Sequence, residues 1–255
     1  MTSTPAGRPT DSLGPNTNIT TALLHDRCIL CAGEDRDEFL KALHACGIPR
    51  PARHVRYRSY EFWHFGQCCA ILSGIGTGCL EPLLWEIFQP AIIRQIVLVG
   101  TAGTLPGSSI APGQAHLISH AYAAGTGIDR EVARQPLGAR WHGAMIGPVA
   151  TSVSTDFYYG FGPHGERAPH GGTYLQADHP LRQAYAGHIQ RGTPLVEMEV
   201  AQFYFFCDKL GGAGLQFIAV KAASNAVGQE TEQLQHTPIA LQQTIRCAMG
   251  LLQLK

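Results

Sequence analysis

The sequence predicts an α/β fold, a single domain in which helices flank a central, mostly parallel β-sheet. Apolar strand-like segments alternate along the chain with segments of helical pattern. The stretch IRQIVLVG at 93–100 is almost continuously apolar, which is typical of a parallel strand covered on both faces. The chain has 255 residues, enough for one large domain, and shows no internal repeat or linker.

Each element is predicted from its local pattern. Apolar runs predict strands at 28–32, 93–105, 113–119, 143–154, 193–198 and 215–224, and an alternating aromatic segment at 54–73 that ends on glycines. Helices are predicted at 34–46, 79–89, 199–212 and 232–253. Pro90 closes the second helix, and two glycines end the third. Segments 120–145 and 155–169 are predicted to be irregular.

Residues 1–20 are predicted to form a disordered tail, because they are rich in Pro, Gly, Ser and Thr. The predicted domain then covers 21–255. The tail lacks the apolar segment of a secretory signal, so we expect a cytoplasmic protein. No apolar run reaches the roughly 18–20 residues of a membrane span.

The charge balance argues against polyanionic partners. The formal net charge is zero, with 19 basic and 19 acidic residues. We therefore expect no binding to nucleic acid or to acidic membranes. Charged residues make up only 15% of the chain, which favours a surface partly buried in a homo-oligomer.

One cysteine pattern has zinc-like spacing, formed by His25, Cys28 and Cys31. If RCILC is a buried strand, however, Cys28 and Cys31 point to opposite faces and cannot share one metal ion. We therefore predict no metal site, and we interpret the eight cysteines as free thiols of a reducing compartment.

Five strand ends carry unusual chemistry, in the segments GIGTG, GTAGTL, STDFYY, VEMEV and SNAVGQE. In parallel sheets, ligands bind at the carboxyl ends of the strands, so these segments are expected to converge on one pocket. The Gly-rich segment holding Thr101, Ala102 and Gly103 can present backbone N–H groups to an anion or a ribose.

The segment LVEMEV places Glu197 and Glu199 on either side of Met198. For Glu197, helix capping and a functional role are equally supported by the sequence. For Glu199 we favour function, because a carboxylate at a strand–helix junction can accept two hydrogen bonds from a sugar diol. Aromatic residues such as Tyr158 can stack on a flat base, and the amide of Asn225 can read the edge of a heterocycle.

These segments together resemble a known family. VEMEVA, GTAGTL, STDFYY and AASN follow one another in the order found in the superfamily of purine nucleoside phosphorylase, uridine phosphorylase and methylthioadenosine nucleosidase. The resemblance covers 28–253 and implies a phosphorylase/hydrolase-like domain around a central mixed, partly barrel-like sheet. It also implies a homo-oligomer that cleaves the N-glycosidic bond of nucleosides without a cofactor or metal.

The resemblance implies roles for individual residues. Glu199 would bind the ribose 2′ and 3′ hydroxyls, Met198 would pack under the sugar, and Glu197 would lie near the base. Further substrate contacts are expected from the Gly-rich segment, from Phe157 and Tyr158, from Arg167 and from Ser224. Phosphate would be a co-substrate only if the protein is a phosphorylase.

Two departures from the family pattern bear on the reaction. Leu98 stands where the phosphorylases have an arginine that binds phosphate, which favours hydrolysis. For the acid that activates water, the candidates after the first strand are Glu34, Asp35 and Asp37, and Arg36 keeps a phosphate site possible. Asn225 stands where adenine-using members have an aspartate, and an amide cannot protonate a leaving base.

The sequence thus predicts a nucleosidase with Glu199, Asn225 and Glu34 as catalytic residues and with 6-oxopurine or pyrimidine nucleosides preferred over adenosine. A nucleoside phosphorylase that releases ribose 1-phosphate is the first alternative. A catalytically weak nucleoside-binding protein, or an unrelated α/β enzyme that uses the same pocket, are the others.

Overall fold

One mixed β-sheet organises the part of the chain that the structure describes. The structure is a computed structural model and describes residues 12–229 and 233–254. The strands are β1 Arg27–Ala32, β2 Arg53–Tyr57, β3 Tyr60–His64, β4 Cys69–Ser73, β5 Gln95–Thr104, β6 Ala115–Ala123, β7 Leu137–Gly138, β8 Val149–Ser154, β9 Leu195–Glu197 and β10 Gln216–Ala226. The helices are α1 Arg36–Ala45, α2 Thr77–Phe88, α3 Asp129–Val132, α4 Pro180–Gln190, α5 Val200–Leu210 and α6 Gln233–Leu251.

The sheet combines a flat part with a ring of strands. β1 pairs in parallel with both β4 and β5, and the antiparallel β3 and β2 extend the sheet to its edge. On the other side, β5 pairs with both β10 and β9. β9 also pairs with β8, β8 with β6, and β6 with β10. Together with β5, these four strands therefore form a closed ring. The predicted α/β class with a central mixed sheet is confirmed.

Helices cover both faces of the sheet. α6 packs on β10 and β5, and α5 packs on β6 and β8. The alternation of side chains along β1 shows the two layers, because Leu30 lies in one buried apolar cluster and Ile29 in the other. Cys28 and Cys31 likewise lie in different clusters, as their spacing predicts. Among the described residues, no group of three or more His, Cys, Asp or Glu side chains could hold a metal.

Most predicted elements are confirmed within a few residues, but the middle of the chain is more regular than predicted. Segment 120–145, expected to be irregular, contains the end of β6, α3 and β7. Helix α4 was not predicted at all, although its start carries a recognisable signal. His179 accepts a hydrogen bond from the backbone of Leu181, and Pro180 occupies the first helical position.

The prediction of a disordered tail over 1–20 is wrong for residues 12–20; residues 1–11 lie outside the described part. Ile19 is fully buried, and Ser12 pairs with Thr20 in an isolated bridge. The backbone N–H groups of Asn16 and Thr17 both donate to the carboxylate of Glu86 on α2, at 2.9 and 2.8 Å. Composition could not reveal this contact, because the partner lies about 70 residues away.

No helix in the described part of the chain is long and apolar enough to span a bilayer. The eight cysteines are free thiols, and five of them are buried, at positions 28, 31, 68, 69 and 207.

Candidate active site

A cleft of about 380 Å³ opens where several strands of the sheet end. All five segments predicted to converge contribute to its lining. VEMEV supplies four residues, GTAGTL and STDFYY supply three each, SNAVGQE supplies two, and GIGTG supplies Ile75. The lining residues are Ala32, Gly33, Glu34, Ile75, Thr101, Ala102, Gly103, Asp156, Tyr158, Tyr159, Val196, Glu197, Met198, Glu199, Ser224 and Asn225. The geometric prediction that these loops meet at one site is therefore confirmed.

One end of the cleft is charged. Lys221 on β10 is fully buried, and its Nζ lies 3.0 Å from an Oε of Glu199. Glu34 follows β1, and its Oε1 accepts a hydrogen bond of 2.6 Å from the backbone N–H of Thr101. A Cβ built on Gly100 would lie 3.0 Å from the Lys221 Nζ and 3.2 Å from the Glu34 Oε1. Both side chains therefore approach the same point on the backbone of β5, where only a glycine leaves room.

The buried pair of Glu199 and Lys221 controls the protonation of both groups. Burial raises the pKa of Glu199 to about 7, although the positive charge of Lys221 acts in the opposite direction. Burial disfavours the charged form of Lys221, but the carboxylates of Glu199, Glu197 and Glu34 outweigh it and raise its pKa. Lys221 is thus a permanent cation beneath the cleft, and Glu199 changes charge near neutral pH.

Glu197 is a structural residue in this arrangement. One of its carboxylate oxygens accepts the backbone N–H groups of Glu199 and Val200 at 2.7 Å each, at the start of α5. The other accepts the hydroxyls of Ser152 and Ser154 on β8. Its negative charge also lies at the positive end of the helix dipole. The structure therefore favours capping for the Glu197 carboxylate, and this capping fixes the position of Glu199, the residue immediately before α5.

The other end of the cleft is aromatic and carries an amide. Asn225 on β10 is 2% exposed, and its Nδ2 donates to the backbone oxygen of Ala226 at 3.0 Å and to the Tyr158 hydroxyl at 3.2 Å. Its Oδ1 accepts the Ser224 hydroxyl at 2.9 Å. The Tyr158 oxygen also lies 3.0 Å from the position of a Cβ on Gly103. Glu199 at the charged end and Asn225 at this end line the same cleft.

Ten of the twelve predicted site residues line the cleft, and two do not. Phe157 precedes Tyr158 in the chain and lies on the outside, with its side chain 48% exposed and packed near Gly125. Arg167 lies in the following loop, where it forms an isolated bridge with Thr173. Neither Phe157 nor Arg167 lines the cleft, so the structure does not bring these two residues to the expected base-binding position.

The structure also distinguishes among the three acidic residues after β1 that were candidates for activating water. Glu34 alone of the candidates lines the cleft. Asp35 caps α1 by accepting the N–H groups of residues 37 and 38, and Asp37 pairs with Arg36 at 2.9 Å. The guanidinium of Arg36 also binds the carboxylate of Glu61 at 2.9 Å, and hydrogen bonds to these acids raise its pKa. Arg36 is therefore engaged outside the cleft.

Sequence reasoning missed several residues of the site, above all Lys221. The signal was present, because Lys221 is the only charged residue in the apolar strand sequence QFIAVKAASNA, and a lysine is buried there only when it is paired. Ile75, Asp156 and Tyr159 also line the cleft. They lie in the segments GIGTG and STDFYY, which were expected to converge on the site, but no local pattern distinguished these three residues within the segments.

Comparison with known proteins identifies the family. A family model described as the phosphorylase superfamily matches residues 26–253. The chain belongs to the phosphorylase superfamily. The family predicted from the motifs is therefore confirmed, and this superfamily member is an enzyme. No curated protein matches the chain significantly.

Solved structures share the fold of this superfamily member at low sequence identity. Purine nucleoside phosphorylase from Toxoplasma gondii has a TM-score of 0.65 and 12% identity, over 98% of this chain and 100% of that one. The methylthioadenosine/S-adenosylhomocysteine nucleosidase of Helicobacter pylori has a TM-score of 0.63 and 10% identity, over 90% and 99%. Futalosine hydrolase of Helicobacter pylori has a TM-score of 0.63 and 11% identity, over 89% and 98%.

Proposed function

We propose that this protein hydrolyses the N-glycosidic bond of a nucleoside and releases a free base and a free sugar. The observation that carries the proposal is the charge of the cleft. Glu34 and Glu199 line it, and the buried cation Lys221 is paired with Glu199 at 3.0 Å. This charge suits a reaction in which the sugar becomes positive in the transition state.

Glu199 is proposed to hold the sugar. Its carboxylate accepts the 2′ and 3′ hydroxyls of the ribose, and Met198 packs against the ring. As the bond between C1′ and the base breaks, positive charge develops on the ribose ring. A buried carboxylate stabilises that charge more than it stabilises the neutral substrate, which is the condition for catalysis.

Glu34 is proposed to activate water. As the water oxygen bonds to C1′, its proton passes to the Glu34 carboxylate, and the electron pair of the C1′–N bond leaves with the base as an anion. The base anion then takes a proton from water, and Glu34 returns its proton to the solvent. The hydrogen bond from the Thr101 N–H fixes the carboxylate at 2.6 Å, which gives the preorganised geometry that a general base needs.

The same charges disfavour phosphorolysis. Among the described residues that line the cleft, none is an arginine, and Leu98 is a buried apolar residue of β5. A phosphate dianion placed beside the sugar would face the carboxylates of Glu34 and Glu199. Lys221 cannot serve as its counter-ion without giving up the buried pair with Glu199, which costs several kcal/mol. Water carries no such charge.

The base end of the cleft favours 6-oxopurine or pyrimidine bases over adenine. Asn225 cannot supply a proton to the leaving base, because it is an amide. Its Oδ1 accepts one hydrogen bond from Ser224 and has a second lone pair, which can accept a ring N–H. Inosine, guanosine and uridine carry such an N–H next to a carbonyl, and adenosine does not.

The remaining expectations are part of the same proposal. The proposed reaction needs no cofactor or metal, since Glu34 acts as the general base and Glu199 stabilises the positive charge on the sugar. A cytoplasmic location and a homo-oligomeric state agree with the sequence, and sedimentation of the purified protein measures the latter.

A substrate panel tests the proposed activity. Inosine, guanosine, uridine and adenosine are incubated with the protein in phosphate-free buffer, and the released base is separated by chromatography. We expect base release from at least one lactam-bearing nucleoside, at a kcat/KM at least tenfold above that of adenosine, or about 1.4 kcal/mol in the transition state. Binding without base release would instead support a nucleoside-binding protein. A tenfold preference for adenosine would contradict the assigned base specificity.

A further inference from the structure

We infer that Asp156 selects the substituent at the 5′ position of the sugar, because its carboxylate accepts a hydrogen bond from a free 5′-hydroxyl and repels a 5′-phosphate. The inference rests on the proposed nucleoside cleavage and deepens it, since it names the class of nucleoside that the cleft accepts. Asp156 follows β8 and lines the cleft. Among the described residues, the other acidic lining residues are Glu34 and Glu199, which act on water and sugar in the proposed reaction, and Glu197, which caps α5. Asp156 is therefore the lining carboxylate to which that reaction gives no role.

The Asp156 carboxylate is held by two helices. The hydroxyl of Thr77, at the start of α2, donates to its Oδ2 at 3.0 Å. The Nε2 group of Gln202 on α5 lies 3.5 Å from its Oδ1. The Oδ1 also packs against the backbone before α2, because it lies 2.9 Å from the position of a Cβ on Gly76. An ionised carboxylate has about four acceptor positions, so these contacts fix its direction and leave acceptor capacity for a ligand.

The Gln202 amide is held in one orientation. Its side chain is fully buried, and its Nε2 donates to the backbone oxygen of Met198 at 2.8 Å as well as to Asp156. Both partners can only accept, so an inverted amide would place an oxygen against each of them. The orientation leaves the Gln202 Oε1 buried and without a hydrogen-bond partner in the described part of the chain. Gln202 is therefore a positioning residue, which connects Asp156 with the backbone of Met198, the residue proposed to pack against the sugar.

The shape of a nucleoside directs its 5′ carbon toward this carboxylate. In a ribonucleoside, the base and the 5′ carbon lie on one face of the sugar ring, and the 2′ and 3′ hydroxyls lie on the other. When the hydroxyls bind Glu199 and the base lies beside Asn225, the 5′ carbon projects on the same side as the base. Asp156 lies two residues before Tyr158 of the base end and is connected to Met198 of the sugar end. Its carboxylate therefore lies on the wall of the cleft that the 5′ substituent meets.

The chemistry of the carboxylate determines which 5′ substituents fit. A 5′-hydroxyl donates to Asp156, and a hydrogen bond to a charged acceptor is stronger than one to a neutral acceptor. A 5′-deoxy sugar has no such donor. A 5′-phosphate would face the negative charges of Asp156 and Glu199, and like charges at this range repel each other. The cleft should therefore take free nucleosides and reject nucleotides.

The apolar residue nearest to the sugar gives the opposite expectation and defines the opposite result. Ile75 is 54% exposed, and its Cγ1 lies 2.7 Å from the position of a Cβ on Gly33, which is 3.6 Å from the Glu199 Oε1. An apolar 5′ substituent would pack on this side chain. Such a substrate would be cleaved at least as well without a 5′-hydroxyl, so a comparison of 5′ derivatives decides between Asp156 and Ile75.

The test measures kcat/KM for the best nucleoside of the panel, for its 5′-deoxy analogue and for its 5′-monophosphate. In the wild type, the nucleoside should exceed the 5′-deoxy analogue roughly 10- to 100-fold. In Asp156→Ala this ratio should fall below about threefold. In Asp156→Asn, which removes the charge and keeps the shape, the ratio of monophosphate to nucleoside should rise roughly tenfold. These ratios compare substrates on one protein, so a partly unfolded variant still gives a valid result. Asp178→Asn is the control and should keep both ratios, because Asp178 is exposed and does not line the cleft.

The positioning role of Gln202 is tested with the same ratios. Gln202→Leu should lower the ratio of nucleoside to 5′-deoxy analogue, although this residue does not line the cleft, and should lower it no further when combined with Asp156→Ala. Additive losses would show that Gln202 does not act through Asp156.

A wild-type protein that cleaves the 5′-deoxy analogue as well as the nucleoside would overturn the inference, as would an unchanged ratio in Asp156→Ala. If no nucleoside releases base, the proposed function itself fails. Calorimetric affinities for the same three ligands then decide the inference separately, because the 5′-hydroxyl should still favour binding in the wild type and not in Asp156→Ala.

Discussion

At the scale of single residues, the account depends on Glu199 and the cation beneath it. Both side chains are at most 5% exposed, so salt screens their charges much less than it screens charges on the surface. Lys221 lowers the pKa that burial raises in Glu199, and Glu199 is one of three carboxylates that raise the pKa of Lys221. The pair lies where the sugar is proposed to bind. The predictions at this scale therefore concern the protonation of Glu199 as well as its contact with the sugar.

We expect kcat/KM of the wild-type protein to rise with pH through about 7, because burial raises the pKa of Glu199 to about 7 and only the carboxylate stabilises a positive sugar. Glu199→Gln should lower kcat at least roughly 100-fold and leave no such rise. Asp208→Asn is the matched control, since Asp208 belongs to the same helix and pairs with Arg140 outside the cleft. Wild-type turnover in Glu199→Gln would remove this residue from catalysis.

The same pKa has a consequence for stability. The folded protein holds the Glu199 proton more tightly than the unfolded chain, whose carboxyl has the ordinary value of 4.5. Its contribution to the free energy of unfolding is therefore full below pH 4.5 and is lost as pH rises through about 7. Urea unfolding at several pH values should show this decline in the wild type and not in Glu199→Gln.

Lys221→Met should move the rise of kcat/KM to higher pH, since the lysine lowers the pKa of its carboxylate partner. Loss of one member of a buried pair should also destabilise the fold by about 3–5 kcal/mol. The pH profile of the soluble variant and its chemical unfolding measure the two effects. An unchanged pH profile would show that the two groups are not coupled.

At the scale of elements, the start of α5 sets the position of the proposed sugar-binding carboxylate. Glu197 ties the first turn of this helix to β8 through Ser152 and Ser154. Glu197→Gln keeps the shape and places an amide N–H against some of these donors. We expect a loss of about 1–3 kcal/mol in the free energy of unfolding and a lower kcat. Full stability together with full activity would contradict this positioning role.

A second element-scale prediction concerns α2 and the segment 12–20. Burial raises the pKa of Glu86, but hydrogen bonds from Thr17 and Asn16 outweigh it and lower the pKa below the ordinary 4.5. This contribution to stability is therefore present above pH 4.5 and is lost as pH falls below it. Glu86→Gln should lose about 1–3 kcal/mol at neutral pH. Exposed Glu81, on the same helix, provides the control Glu81→Gln, which should unfold like the wild type.

The elements also show which features of the fold can be predicted from local sequence patterns. The periodicity of an apolar run predicts β5 and β10, and the glycines at their ends predict the cleft, because both signals are local. The path of the loop after β8 is not local. Its direction depends on Arg182 of α4, which binds the Gly162 carbonyl and the Glu166 carboxylate, so the outward position of Arg167 could not be foreseen. The burial of segment 12–20 depends on Glu86 in the same way.

At the scale of the whole molecule, the closed ring of strands brings five distant segments to one cleft. β5 contributes Thr101 to Gly103, β9 leads into the glutamates, and β10 contributes Ser224 and Asn225. Pairing of β5 with both β9 and β10 fixes the distance between the charged end and the base end. The superfamily assignment and the fold describe this framework, whereas the choice between water and phosphate depends on the few charged side chains inside it.

The most direct test of that choice is the identity of the sugar product. The best nucleoside of the panel is incubated with the protein in phosphate-free buffer and in buffer with added phosphate, and base and sugar are quantified together. We predict equal rates of base release under both conditions and free ribose as the sugar product. Base release that requires phosphate and yields ribose 1-phosphate would contradict the hydrolytic account.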